Sequence, residues 1–327
     1  MSTRRNIGAS VRARLTQIAL AQRADLQFVL TRYANERFLY RLSISPHAGN
    51  FILKGAALFT LWTGKPHRAT RDIDMLGFGE AGIDRFRTAM IEVLQIATVD
   101  DGVVFDISSL EISEIREGQA YGGLRALLYT SIDRAKTRLQ IDVGFGDAVT
   151  PEAQIVEFPA LLDSPAPRIR AYPKETVVAE KLEATTSLGL ANSRMKDFYD
   201  IVVLAKMFAF DGDLWARAIA ATFNRRKTVL PMTPPIALTE AFTRDASKQT
   251  QWKAFLRKSS AEEKMPLAEA VAACSAFLVE PLHAAVATLD SPQPGHQVAH
   301  GKALALTNAR AHSALGRDAA KTHRRSA

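Results

Sequence analysis

Arg68-Ala69-Thr70-Arg71-Asp72-Ile73-Asp74-Met75-Leu76 is the stretch that decides how this chain is read. Residues two apart on a strand project from the same side. Thr70, Asp72 and Asp74 therefore share one face, while Ile73 and Met75 turn toward a core. Two carboxylates side by side repel unless a cation lies between them. Magnesium takes oxygen ligands and keeps room for substrate phosphates, and manganese suits the same donors. An exposed pair on an edge strand would show the same spacing, so the pair needs companions elsewhere in the chain.

The first companion is Asp142, in Leu139-Gln140-Ile141-Asp142-Val143-Gly144-Phe145. A carboxylate in an otherwise apolar strand is costly unless it is paired or metal-bound. Beside Asp72 and Asp74 it would complete a two-metal clamp on an attacking hydroxyl and a triphosphate; a strand-end Asp facing solvent is the alternative. The second companion is helical. Lys174 and Lys181, seven apart after Pro173, fall on one helix face, and lysine is a compact charge suited to phosphates. The third is Ser193-Arg194-Met195-Lys196-Asp197-Phe198-Tyr199-Asp200. Asp197 and Asp200 share a face at this spacing, and Arg194 can pair with Asp197 or grip a phosphate. Solvated lysines and ordinary surface ion pairs would give the same two patterns.

Helical patterns open the chain at Ile7 to Arg23 and again from Asp25, a plausible N-cap. A third helix is predicted from Leu53 to Trp62, starting at the Lys54-Gly55 corner and ended by Gly64-Lys65-Pro66. Alternation marks Val103 to Ile107, Leu110 to Ile115, Leu124 to Ile132 and Thr137 to Phe145 as strands. Their short connections predict an antiparallel or mixed sheet. Helices return at Lys174 to Leu188 and, with Ser193 as N-cap, through Phe208; others are predicted at 213–225, 235–244, 248–257 and 266–287. The fold class is α+β, a mixed or antiparallel sheet flanked by helices with a C-terminal helical region. The divisions expected are 1–50, N-terminal helices packing on the core; 51–170, the core; 171–289, a helical domain; and 290–327, a flexible basic tail.

The 327 residues carry a net charge of +8, and 47% are hydrophobic, as in an ordinary globular protein. Net positive charge favours polyanionic partners. Lys302, Arg310, Arg317, Lys321, Arg324 and Arg325 face only Asp318 in the tail. No secretory signal and no membrane-spanning run is read, so a cytoplasmic protein without membrane contact is expected. Cys274 is the one cysteine, which excludes an intramolecular disulfide and fits a small core residue. His47 and His67 read as solvated loop residues.

Taken in order, Leu53-Lys54-Gly55-Ala56-Ala57-Leu58, Arg68 to Asp74, Gln140 to Asp147, Pro173 to Glu183 and Arg194 to Asp200 resemble the AbiEii/AbiGii toxin family. That family belongs to the DNA polymerase beta-like nucleotidyltransferases and includes the MenT toxins. The resemblance spans roughly residues 25 to 225 and implies the nucleotidyltransferase fold. It implies Asp72, Asp74 and Asp142 as metal ligands, with Lys181 and Asp200 joining them as catalytic residues. Lys54, Gly55, Ala56, Arg71, Lys174, Lys181, Arg194 and Asp197 are implied to bind nucleotide. Ala56 departs from the Ser or Gly usual after the first glycine, so backbone N–H groups must meet the phosphate there. The implied activity is magnesium- or manganese-dependent transfer from GTP or a pyrimidine triphosphate to an RNA acceptor such as the tRNA 3′ end. The implied setting is a type IV-like toxin–antitoxin or phage-abortive system with a cognate antitoxin protein. The alternatives are an inactive nucleotide-binding sensor module, or a phosphotransferase on the same scaffold.

Overall fold

Seven strands in the order β3-β4-β5-β2-β1-β7-β6 make one mixed sheet. They are β1 (Phe51–Lys54), β2 (Asp72–Gly77), β3 (Val103–Ile115), β4 (Gly123–Ile132), β5 (Ala135–Phe145), β6 (Gln154–Glu157) and β7 (Arg168–Ala171). The computed structural model describes residues 6–64, 70–115, 122–259 and 264–290. Met1 to Arg5, the Lys65-Pro66 break, His67, Arg68, Ala69 and the basic tail from 291 lie outside the described residues. Within the sheet, β2 runs parallel to β5 and β1 parallel to β7, while the other neighbours are antiparallel.

The helices are α1 (Ile7–Ala21), α2 (Leu26–Ile44), α3 (Ala57–Thr63), α4 (Ile83–Leu94), α5 (Lys174–Leu188), α6 (Met195–Met207), α7 (Gly212–Arg226), α8 (Glu240–Arg244), α9 (Ala246–Lys258) and α10 (Leu267–Asp290). Asp25 caps α2 as its sequence suggests, its Oδ1 accepting from the Phe28 N–H at 2.9 Å. This satisfies one of the otherwise unpaired donors of a helix start. α1, α2 and α4 pack on the sheet, and α5, α6, α7 and α10 pack together. One buried core runs from Ile73, Met75, Ile141 and Val143 on the strands to Leu182, Phe198, Phe223 and Cys274 on the helices. Cys274 is fully buried, as its apolar setting suggests.

Four local expectations are corrected. Leu53 and Lys54 belong to a strand, because pairing with Met75 and Asp74 overrides their helical pattern. The two strands expected between Val103 and Ile115 are one, bent where the register shifts between Asp106 and Glu111. Such a bulge breaks the alternation without ending the strand. Arg194, not Ser193, is the N-cap of α6; its N–H is held by the Asn192 Oδ1 at 2.8 Å. Finally, Leu267–Ala287 is long and apolar enough to cross a membrane by length and composition. Ala270, Val271, Cys274, Leu278 and Leu282 on this helix are buried within the protein core, against α6 and α7.

Candidate active site

The sheet register lines up four charges on adjacent strands. Asp74 lies opposite Asp142 on β5 and opposite Lys54 on β1, and Asp142 lies opposite Arg125 on β4. Residues opposite one another on adjacent strands project to the same face. The row therefore reads cation, carboxylate, carboxylate, cation across four strands. Ile73, Met75, Ile141 and Val143 occupy the other face and are buried, which fixes the register against a one-residue slip. Asp72 sits two residues before Asp74 on the same face. Carboxylate oxygens of Asp72, Asp74 and Asp142 come within 4.8 Å of one another.

The three are held differently. Thr70 Oγ1 donates to Asp72 at 2.7 Å. Asp142 accepts from Arg125 Nε and Nη2, both at 2.7 Å, and from Gln140 Nε2 at 3.0 Å. Burial and then the neighbouring Asp72 push the Asp74 carboxyl up to about 6, against the pull of Lys196 and Lys54. A carboxyl disfavoured in its charged form, beside two others, is the donor set that a divalent oxygen-seeking ion relieves. The residues fit such an ion.

Gly55, between β1 and α3, is what lets Asp74 sit here. Its φ is +73°, and an added Cβ would lie 2.1 Å from Asp74 Oδ2 and 2.8 Å from Asp74 Cβ. Gly55→Ala should destabilise the protein by about 1–2 kcal/mol through backbone strain alone, and should also displace Asp74. Urea denaturation with and without Mn2+ checks this. A variant of unchanged stability and unchanged metal response would contradict it.

Above the row lies a cleft of about 520 Å³, whose lining includes Lys54, Gly55, Ala56, Asp72, Asp74, Asp142, Lys181, Arg194 and Asp197. Lys181 on α5 donates to Asp197 Oδ1 at 2.6 Å and to Asp200 Oδ2 at 2.8 Å. Arg194 Nε donates to Asp197 Oδ2 at 2.7 Å. Burial works against ionisation of Asp197, and Lys181 and Arg194 overcome it, so its carboxyl lies below the ordinary range. Asp200 is buried behind Lys181 and does not line the cleft.

Two expected contributors lie elsewhere. Lys174 Nζ donates to Glu175 Oε1 at 2.6 Å and stands 5.1 Å from the centre of the Phe210 ring. It shares a helix face with Lys181, but two turns separate them by about 10 Å along the axis. Arg71 is exposed and is not part of the lining, as its place between Thr70 and Asp72 in the alternation requires.

Conversely, Arg125, Tyr172, Glu180, Lys196 and Arg226 line the cleft without being among the site residues expected from the sequence. Arg125 alternates with buried Leu124 and Ala126 along β4, so its outward face was legible but not its partner. Glu180 and Arg226 belong to a half-buried ion cluster. Lys54 Nζ lies 2.9 Å from Asp147 Oδ2 and 3.5 Å from Glu180 Oε2. Arg226 reaches Asp147 at 3.0 Å, Glu180 at 3.4 Å and Glu183 at 2.8 Å. The cluster ties the end of β1 to α5, α7 and the segment after β5.

Burial opposes ionisation of Asp147, but Lys54 and Arg226 outweigh it and hold the carboxyl down at about 2. A lowered acid pKa stabilises the fold above the unfolded value, near 3.9, and that stability fades as pH falls toward 2. The amount is on the order of 2 kcal/mol. The urea midpoint of the parent should therefore fall between pH 4 and pH 2.5, and Asp147→Asn should flatten part of that fall. Parallel pH profiles for the two proteins would contradict the assignment.

The family profile described as nucleotidyl transferase AbiEii toxin, type IV TA system, matches residues 37–274. Two solved structures from Helicobacter pylori are similar to the chain. One is described as a candidate nucleotidyltransferase, at 15% identity and a TM-score of 0.45, covering 78% of this chain and 94% of that one. The other is JHP933, at 15% identity and a TM-score of 0.44, covering 78% of this chain and 90% of that one. No curated protein matches the chain.

Proposed function

Because the chain belongs to the AbiEii nucleotidyl transferase toxin family, and so is a nucleotidyltransferase, we propose that its cleft moves a nucleotidyl group from a nucleoside triphosphate to an acceptor hydroxyl. The observation that carries this reading is the meeting of Asp72, Asp74 and Asp142 within 4.8 Å. A divalent ion held by these three, magnesium or manganese, would supply charge neutralisation of the phosphates and a more acidic acceptor hydroxyl. In the reaction the acceptor oxygen bonds to the α-phosphorus, the α–β bridging bond breaks, and pyrophosphate leaves.

The chain's own residues divide that work. Segment 51–170 supplies the carboxylates, and segment 171–289 supplies the cations Lys181 and Arg194 on the opposite wall. Lys181 is aimed by Asp197 and Asp200, so Asp200 acts through the lysine. Lys54, Gly55 and Ala56 form the floor; with no hydroxyl on Ala56, backbone N–H groups there meet the phosphates. Arg71 and Lys174 have no part in this arrangement.

The preferred triphosphate is GTP or a pyrimidine nucleotide, and the acceptor is RNA, in particular the tRNA 3′ end. The net charge of +8 supports a polyanionic acceptor. A cytoplasmic site is proposed because that is where triphosphate and tRNA meet, and a cognate antitoxin follows from the family. The test is to incubate the protein with magnesium, tRNA and each nucleotide labelled at the α or the γ phosphate. Label from the α position should reach RNA, with release of pyrophosphate. Label from the γ position on protein would establish a phosphotransferase instead, and nucleotide binding without turnover would establish a sensor module.

A further inference from the structure

Asp142 and Asp74 sit side by side in register, yet their surroundings are opposite. Arg125 closes on Asp142 with two parallel hydrogen bonds of 2.7 Å, and Gln140 adds a third at 3.0 Å. A carboxylate offers about four lone-pair sites, so three of those on Asp142 are already taken. A bidentate guanidinium is also the strongest neutral-pH partner a carboxylate finds among side chains. Asp74 has no such clamp among the described residues. An ion at Asp72 and Asp74 relieves repulsion, whereas an ion drawn onto Asp142 comes up against a fixed positive charge.

We propose that Arg125 is a positioning residue that restrains metal loading at Asp142 until a triphosphate is present. The inference rests on the metal-site reading given above. Arg125 lines the cleft, and its side chain keeps 34% of its exposure. Part of the Arg125 side chain is thus within reach of a cleft ligand. When polyphosphate enters, its anionic oxygens compete for Arg125, and a hydrogen bond to Asp142 is given up for one to phosphate. The Asp142 oxygen released in this way becomes available as a ligand. Metal and nucleotide then bind each other's form of the enzyme better than either binds alone.

Mn2+ binding to the full-length protein, followed by the loss of the free-ion electron paramagnetic resonance signal, reads this without any turnover. Arg125→Gln removes a positive charge a few ångströms from the ion, so it should bind Mn2+ about tenfold more tightly than the parent. Arg125→Lys keeps the charge but loses the two-point grip, and should tighten binding by about threefold. A non-hydrolysable CTP or GTP analogue should strengthen Mn2+ binding by the parent and add little for Arg125→Gln. A loss of stability alone would loosen metal binding, the opposite sign. The proposal is overturned if neither variant binds Mn2+ more tightly than the parent. Absence of Mn2+ binding by the parent would instead overturn the metal-site reading itself, and this inference with it.

Discussion

Asp74→Asn is expected to lower nucleotidyl transfer by at least ~1000-fold while making the metal-free protein more stable at pH 7.5. The first half follows from positioning and charge compensation, which supply most of the rate in this class of reaction. The second half follows from the carboxyl's own discomfort. Its folded value of about 6 lies above the ordinary unfolded one, so the folded protein holds that proton more tightly. Stability is then lost as pH rises from about 4 to 6, and the loss is complete above 6. The neutral amide avoids a penalty on the order of 3 kcal/mol. Without metal, Asp74→Asn should melt several degrees above the parent at pH 7.5, and the gap should shrink by pH 4. Metal should raise the melting temperature of the parent and not that of the variant. A variant that melts below the parent at neutral pH would show that neither burial nor Asp72 disfavours the Asp74 charge in the fold.

Lys181→Met carries the largest expected cost to folding. Its ammonium bridges Asp197 and Asp200, two carboxylates that are each about 1% exposed. Deleting one partner of a buried ion pair leaves charge without compensation and costs about 3–5 kcal/mol. Arg194 still reaches Asp197, so that carboxylate keeps part of its compensation. Urea denaturation of Lys181→Met should show that drop, and Lys181→Met with Asp200→Asn should regain about half of it. A single-variant loss below about 1 kcal/mol would mean that the lysine is only a solvated cation. Transfer should fail in both variants, because the cation facing the triphosphate is missing from each.

These outcomes separate two layers of the site. Asp72, Asp74 and Asp142 form a layer in which, without metal, burial and the neighbouring carboxylate disfavour the charge of Asp74, while Arg125 holds Asp142. Lys181, Arg194, Asp197 and Asp200 form a layer that is neutralised within itself, and it contributes to folding as well as to the cleft. The cluster of Lys54, Asp147, Glu180 and Arg226 joins the two, since Lys54 ends the strand beside Asp74 and Glu180 precedes Lys181 on α5. Substitution of Asp74 should therefore spare or raise stability, whereas substitutions in the second layer, or of the clamped Asp142, should lower it.

Much of this was legible in the residues because side-chain direction is a local property. A period of two on β2 set Asp72 and Asp74 apart from Ile73 and Met75, and an isolated carboxylate between Ile141 and Val143 signalled a partner. A helical period put Asp197 and Asp200 together. The same local logic misread Leu53 and Lys54 as helix, since nothing nearby records that Met75 and Asp74 pair with them. It also grouped Lys174 with Lys181, because a shared helix face says nothing about how far along the axis a cleft extends.

The sequence by itself determined which acids and cations this protein has to spend on a site, and which way each points from its own element. Only the tertiary structure decided that β2 and β5 run parallel with Asp74 against Asp142, that Arg125 closes on the latter, and that Lys174 and Arg71 stand outside. The reason is physical. Alternation and helical period are written in a few neighbouring residues, whereas strand order and register come from backbone hydrogen bonds between distant segments, which carry no side-chain signature of their own.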